Sequence, residues 1–224
     1  MTTLAEFRTL VLQRCDMVNS NFVSTSELNS WINQAADCLY DLIVSRYEDY
    51  YTTSFEFSIP SGSDGYTLPE EVYKIKGLDF KISSDWVTIH TFTFEERNRG
   101  NRQINRALLG LTNIKYKWIG SSIKIIPADQ AAGTYRCWYI PDLVELTSDS
   151  AELQADLNRW KEYIIADVAI KCLIKEESDP SAIMAEKAEL ERRVLSMASN
   201  RDAGAPERVQ DVNSNLWDDP LVRF

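Results

Sequence analysis

The spacing of apolar residues changes twice along this chain, and that constrains its fold more than any other feature. Residues 3 to 51 carry apolar side chains at helical intervals, residues 52 to 140 alternate with a period near two, and helical spacing returns after Pro141. A period of 3.6 puts an apolar stripe on one side of a helix, and a period of two puts apolar residues on one face of a strand. The chain must therefore be built as helices, a β module and helices, in that order.

The first helical part has two starts. Thr3 with Glu6, and Ser24 with Glu27, each have the spacing of a capping box. Between Leu28 and Tyr47, apolar residues fall at Leu28, Trp31, Ile32, Ala35, Leu39, Leu42 and Ile43, which predicts a long amphipathic helix. In the second helical part, Leu153, Leu157, Trp160, Ile164, Val168 and Cys172 share one stripe and predict one continuous helix. Asp179 is placed to cap a last, heavily charged helix with Pro180 at its first position. Trp31, Ile32, Leu39 and Ile43 are expected to meet Trp160, Ile164 and Val168 in a single core.

The middle reads as short strands: "TTSFEFSIP", "YTLPEEVYKIKGLDFKI" with a break inside it, "WVTIHTF", "IKYKWIG", "SIKIIP" and "TYRCWYI". Gly, Pro, Asn or Ser separates them. Six or seven strands with no helices alternating between them predict a small antiparallel β-sandwich or barrel. The fold class is α+β: N- and C-terminal helices packed as a bundle from residues 1–51 and 141–200, an inserted β module at 52–140, and an extended C-terminal arm at 201–224. A chain of 224 residues can bury a sizeable core in this arrangement.

Enzyme chemistry finds little support. His90 is the only histidine, and it lies in a strand pattern as a packed or surface residue. No nucleophile elbow, phosphate-binding glycine loop or zinc spacing is present. The adjacent carboxylates Glu70–Glu71, Glu95–Glu96, Glu176–Glu177 and Asp218–Asp219 cannot face each other across a cleft as glycosidase pairs do, and they read as solvated surface. No enzyme activity, cofactor or metal is expected. Cys15, Cys38, Cys137 and Cys172 are far apart in the sequence and read as reduced and buried. The start, "MTTLAEFRTL", is not a signal peptide, and no run of about 18 apolar residues spans a membrane.

Two stretches run against their surroundings. The net charge is −10, which opposes a general grip on nucleic acid. Residues 52–140, however, hold 11 basic and 9 acidic residues, a net of +2, against −4 for residues 1–51 and −8 for residues 141–224. "RNRGNRQINR" places Arg97, Arg99, Arg102 and Arg106 together without an acid, and also without an aromatic that could stack on bases. The chain then ends in "SNLWDDPLVRF", whose apolar residues have no obvious internal home.

Four stretches, in this order, resemble one family: "ELNSWINQAADCLYDLI", "YTLPEEVYKIKGLDF" with its Tyr66, Leu68 and Pro69 turn, "IKIIPADQAAGTYRCWYIPDLVEL", and "NRWKEYIIADVAIKCLIKEESDPSAIMAEKAELERRV". Together they are similar to the head-to-tail adaptor, or connector, proteins of tailed bacteriophages, over roughly residues 1 to 200. The resemblance implies a non-enzymatic virion protein made in the bacterial cytoplasm. Such proteins form a ring of subunits, usually twelve, beneath the portal protein. The ring extends the DNA channel without sequence-specific contact and gives a tail tube or nozzle protein its attachment site. It also implies a C-terminal segment reaching the portal. Val209, Leu216, Trp217, Pro220, Leu221, Val222 and Phe224 are the docking residues expected here, and Arg97, Arg99, Arg102 and Arg106 would face the channel or the next tail protein. The alternative is a nucleic-acid-binding protein that uses the Arg97–Arg106 segment.

Overall fold

The computed structural model describes the backbone of residues 1–101 and 114–199 and the side chains of 1–97 and 114–198. Both capping boxes are formed. The Thr3 hydroxyl accepts from the Glu6 N–H and opens α1 (Leu4–Arg14), and Ser24 does the same with Glu27 to open α2 (Thr25–Arg46). Each satisfies backbone donors that a helix N-terminus otherwise leaves unpaired. A 3-10 turn, Glu48–Tyr51, leads into the strands.

Seven strands follow: β1 (Thr53–Ile59), β2 (Gly65–Thr67), β3 (Val72–Ile82), β4 (Asp85–Thr91), β5 (Lys115–Ile119), β6 (Ser122–Ile126) and β7 (Gly133–Pro141). They form one sheet in the order β1-β7-β3-β4-β5-β6-β2, curled into a nearly closed barrel. β1 and β2 lie at opposite ends of this order, yet the Phe57 ring of β1 stacks on Tyr66 of β2 with centroids 4.1 Å apart. Aromatic packing thus closes the gap that no strand ladder closes, and protects two edges. Leu78, Tyr135, Cys137, Ile123 and Ile125 fill the interior.

The barrel departs from the all-antiparallel expectation at one place. β4 and β5 run parallel, pairing His90 with Lys115 and Thr91 with Tyr116. A parallel pair needs a long crossover rather than a hairpin, and the connection from residue 92 to 114 supplies one. The arginine stretch belongs to this crossover.

β7 ends beside Leu143–Leu146 and a connector that the N-terminus clamps. The Leu4 N–H donates to the Ala151 carbonyl at 3.0 Å, Arg8 pairs with Asp149 at 2.7 Å, and the Thr2 N–H donates to Asn158 Oδ1 at 3.0 Å. α3 (Ala155–Asn158), α4 (Lys161–Lys175) and α5 (Ser181–Ser199) complete the chain. The single helix expected across 153–172 is broken at Arg159 and Trp160, with no Gly or Pro to cause it. Tertiary contacts decide: Asn158 is spent on Thr2, and Trp160 packs against the bundle core. Asp179 accepts from the Ser181 N–H at 2.9 Å, as a cap ahead of Pro180 should.

The helices enclose one core in which Ile32, Leu39 and Ile43 meet Leu157, Ile164 and Val168, with Trp31 and Trp160 at its margin. β7 welds this core to the barrel by strand alternation, since Tyr139 faces the barrel interior and Ile140 the bundle. The Tyr40 hydroxyl, from α2, donates to the Pro141 carbonyl at 2.6 Å across the same junction.

One ion-pair network inside the bundle gives a pH-dependent expectation. Asp167, 14% exposed in its side chain, pairs with Lys187 at 2.7 Å and Lys171 at 3.1 Å. Burial pushes its carboxyl up, but the bonds from the two lysines outweigh burial and hold it below the ordinary aspartate value. A carboxyl lowered in the folded state stabilises the fold above its unfolded pKa, and that contribution is lost as pH falls below about 4. Asp167→Asn should cost about 1–3 kcal/mol at neutral pH. It should also flatten the acid limb of a stability–pH curve measured by urea unfolding. An unchanged acid limb would remove Asp167 from this role.

Candidate functional site

The outer face of the barrel groups aromatic rings with cations. Strand alternation puts Trp86, Thr88 and His90 of β4 on that face, with Asp79 and Lys81 of β3 and Arg136 and Trp138 of β7 beside them. Register then aligns Lys115 of β5 with His90, so Lys115 and Lys117 continue the same face.

The contacts here are specific. The Arg136 guanidinium lies 4.0 Å from the Trp86 ring centroid and 6.0 Å from that of Trp138, and it pairs with Glu56 at 2.8 Å. The Trp138 Nε1–H donates to Asp79 at 2.7 Å, and Thr88 donates to the other Asp79 oxygen at 2.9 Å. Lys81 Nζ sits 5.4 Å from the Trp86 ring. These distances fall within the range of cation–π attraction.

Of the four arginines singled out in the sequence, the structure describes the side chain of Arg97. It is exposed, lies 4.4 Å from the Phe94 ring and donates to the Phe94 carbonyl at 2.8 Å. The side chains of Arg99, Arg102 and Arg106 lie outside the described residues, as do Val209, Leu216, Trp217, Pro220, Leu221, Val222 and Phe224. Within the stretch itself no aromatic is present, but Phe92 and Phe94 come just before it in the sequence, the first buried and the second exposed. Phe94 is 59% exposed, and Lys117 stands 6.0 Å from it and 5.9 Å from Phe92. The pairing of Phe94 with Arg97 is local, three residues apart in the sequence, whereas Lys117 joins them only through the fold, from the far side of the crossover.

Two surface expectations need correction. Glu96 is not simply solvated: it lies 3.2 Å from Lys115 and accepts from the Thr93 N–H at 3.0 Å, so it ties the start of the crossover to β5. Cys38 is exposed, since it lies off the apolar stripe of α2, whereas Cys15, Cys137 and Cys172 are buried; all four are free. Burial pushes the Cys137 thiol up to about 12, which makes it a poor nucleophile. His90 is exposed on the barrel face.

The helical side is electrostatically opposite. On α2 and just after β7, partial burial and then the neighbouring carboxylates of Asp142, Asp41 and Glu145 raise the Asp37 carboxyl. Charge is thus segregated between the two halves of the fold. Among the described residues, no group of three or more His, Cys, Asp or Glu converges to hold a metal ion, and no helix is long and apolar enough to cross a membrane. No protein-family model and no curated protein matches the chain.

The resemblance gives Arg97, Arg99, Arg102 and Arg106 a binding role rather than a folding one. Changing all four to Ser should move stability by less than about 0.5 kcal/mol per position, measured by thermal unfolding, and, on the adaptor role that the resemblance implies, particle infectivity or tail attachment should fall. Normal infectivity would make the stretch a solvated loop.

Proposed function

We propose that this chain is a structural head-to-tail adaptor of a tailed-phage virion. Copies of it form a ring beneath the portal protein, extend the DNA channel and present an attachment site for tail proteins. One architectural observation carries the reading: the N- and C-terminal helices share one core, with a β barrel inserted as a module beside them. That is the arrangement which the resemblance of the four quoted stretches implies. The charge distribution supports it, because acidic helical parts would let DNA pass without gripping it. The charged α5 and the barrel are the surfaces offered to neighbouring subunits. Contacts of that polar kind are weak singly and gain from ring closure.

The test is negative-stain microscopy of the purified protein with and without its portal, together with light scattering at micromolar concentration. The expected result is a monomer alone and a ring on the portal. A portal that stays bare, or a stable ring without any partner, would overturn the reading.

A further inference from the structure

We propose that the outer barrel face formed by β7, β3, β4 and β5 binds single-stranded nucleic acid, through aromatic platforms flanked by cations. This goes beyond the adaptor reading and does not depend on it, because it concerns the isolated subunit.

Trp138 is 36% exposed and Phe94 is 59% exposed. Both belong to cation–aromatic groups, Arg136 with Trp86 and Trp138, and Arg97 and Lys117 with Phe94. Exposed rings grouped with cations on one face mark an interaction surface. Those of Trp86 and Trp138 are also held in place. Trp138 is fixed by its bond to Asp79, and Trp86 by Arg136, which Glu56 anchors in turn. Rings immobilised beforehand lose little freedom when a ligand stacks on them.

The charge on the face selects the ligand. Asp79 and Glu56 are both committed to partners on the sheet. Lys81 and Lys117 form no ion pair among the described residues, so their charges are open to an anion. By register Trp138 stands opposite Gly77, one step beyond the Leu78–Ile89 pair, so the first group runs along β4, with Lys81 level with Trp86 at one end and Lys117 just past the other, about 20 Å away at the rise of an extended strand. Planar rings between open cations at that separation match a chain of bases on phosphates. Every base has a face that can stack on an aromatic ring, and every phosphate can meet a lysine. A duplex hides its base faces and would use the cations alone. An acidic peptide would leave the rings unused.

The experiment is fluorescence anisotropy of a labelled oligothymidylate of 20 nucleotides and of a duplex of 20 base pairs, at low and moderate salt. The full-length protein should bind the single strand more tightly than the duplex, with affinity falling as salt rises. Trp138→Ala and Phe94→Leu should each weaken single-strand binding by roughly tenfold. Lys81→Ser and Lys117→Ser should each lower the salt slope by about 0.7. Circular dichroism and melting identify any variant that fails to fold; Phe94→Leu keeps an apolar side chain at an exposed site and remains informative if Trp138→Ala fails. The proposal is overturned by equal binding of the duplex, by ring variants without effect, by equally good competition from heparin or polyglutamate, or by absence of binding at low salt.

Discussion

Truncation after Gln210 should abolish attachment to the portal and leave the subunit folded. The second half of this expectation rests on the described core. Every residue of the bundle and barrel clusters lies at or before Val194, so loss of the last 14 residues removes none of them. Helical signal and melting should therefore be unchanged. The first half rests on what the arm offers. Burying Leu216, Trp217, Leu221, Val222 and Phe224 on a partner would contribute roughly 1.5–3 kcal/mol each, on the order of 10 kcal/mol together. Ordering about 16 residues, from Val209 onward, costs roughly 1–2 kcal/mol per residue in backbone entropy. A single arm therefore binds poorly unless main-chain hydrogen bonds to the partner add to it, as in strand addition. A ring changes the balance, because each docked arm raises the effective concentration of the next. Pro220 limits the freedom that must be lost. Asp218 and Asp219 belong at the rim, since an unpaired carboxylate in the centre of an apolar contact is costly. The measurement is co-sedimentation of the truncated protein with portal. Normal attachment would show that the arm is not the docking element, and unfolding would show that it belongs to the subunit's own core.

The parts of this fold that were legible in the sequence are those decided locally. Thr3–Glu6 and Ser24–Glu27 place two helix starts because each box is closed within four residues. The strands follow from alternation, as in Phe55, Phe57 and Ile59 of β1. What was not legible is decided by partners far along the chain. The parallel pairing of β4 with β5 depends on where a crossover of more than twenty residues returns. The break at Trp160 depends on Thr2 and the bundle core rather than on local propensity. The same holds for the candidate surface. The arginine stretch is visible as composition, but Phe94 becomes a platform because Lys117 comes back beside it, and Trp86 because Arg136 arrives from β7. The strands lay Trp86, Arg136 and Trp138 side by side across the sheet, so neighbours on this face are distant in the sequence.

Gly133→Ala should cause the largest stability loss of any glycine-to-alanine change among the described residues. Gly133 opens β7 with φ of +155°, a backbone conformation that side-chain-bearing residues rarely adopt. A Cβ there would stand 2.4 Å from Phe80 Cε2 and 2.9 Å from Phe80 Cζ. Phe80 cannot simply swing away, because it is buried and packs on Tyr135 with ring centroids 5.0 Å apart. Tyr135 is itself fully buried and donates its hydroxyl to the Ala131 carbonyl at 2.8 Å. Overpacking of this kind costs about 1–3 kcal/mol, and the backbone strain adds a similar amount. A total of about 3 kcal/mol is a large share of the 5–15 kcal/mol that typically holds a domain together. For a chain of this size it corresponds to a melting temperature lower by about 6–12 °C. Gly77→Ala is the internal comparison: a Cβ at Gly77 meets nothing within 4 Å, so that change should be close to neutral. A second comparison locates the cause. If the clash with Phe80 dominates, Phe80→Leu combined with Gly133→Ala should recover part of the loss, which a double-mutant cycle reads as coupling between neighbouring positions. Denaturant midpoints of the four proteins decide the matter. A Gly133→Ala protein as stable as the parent would mean that β7 does not enter the barrel in this conformation.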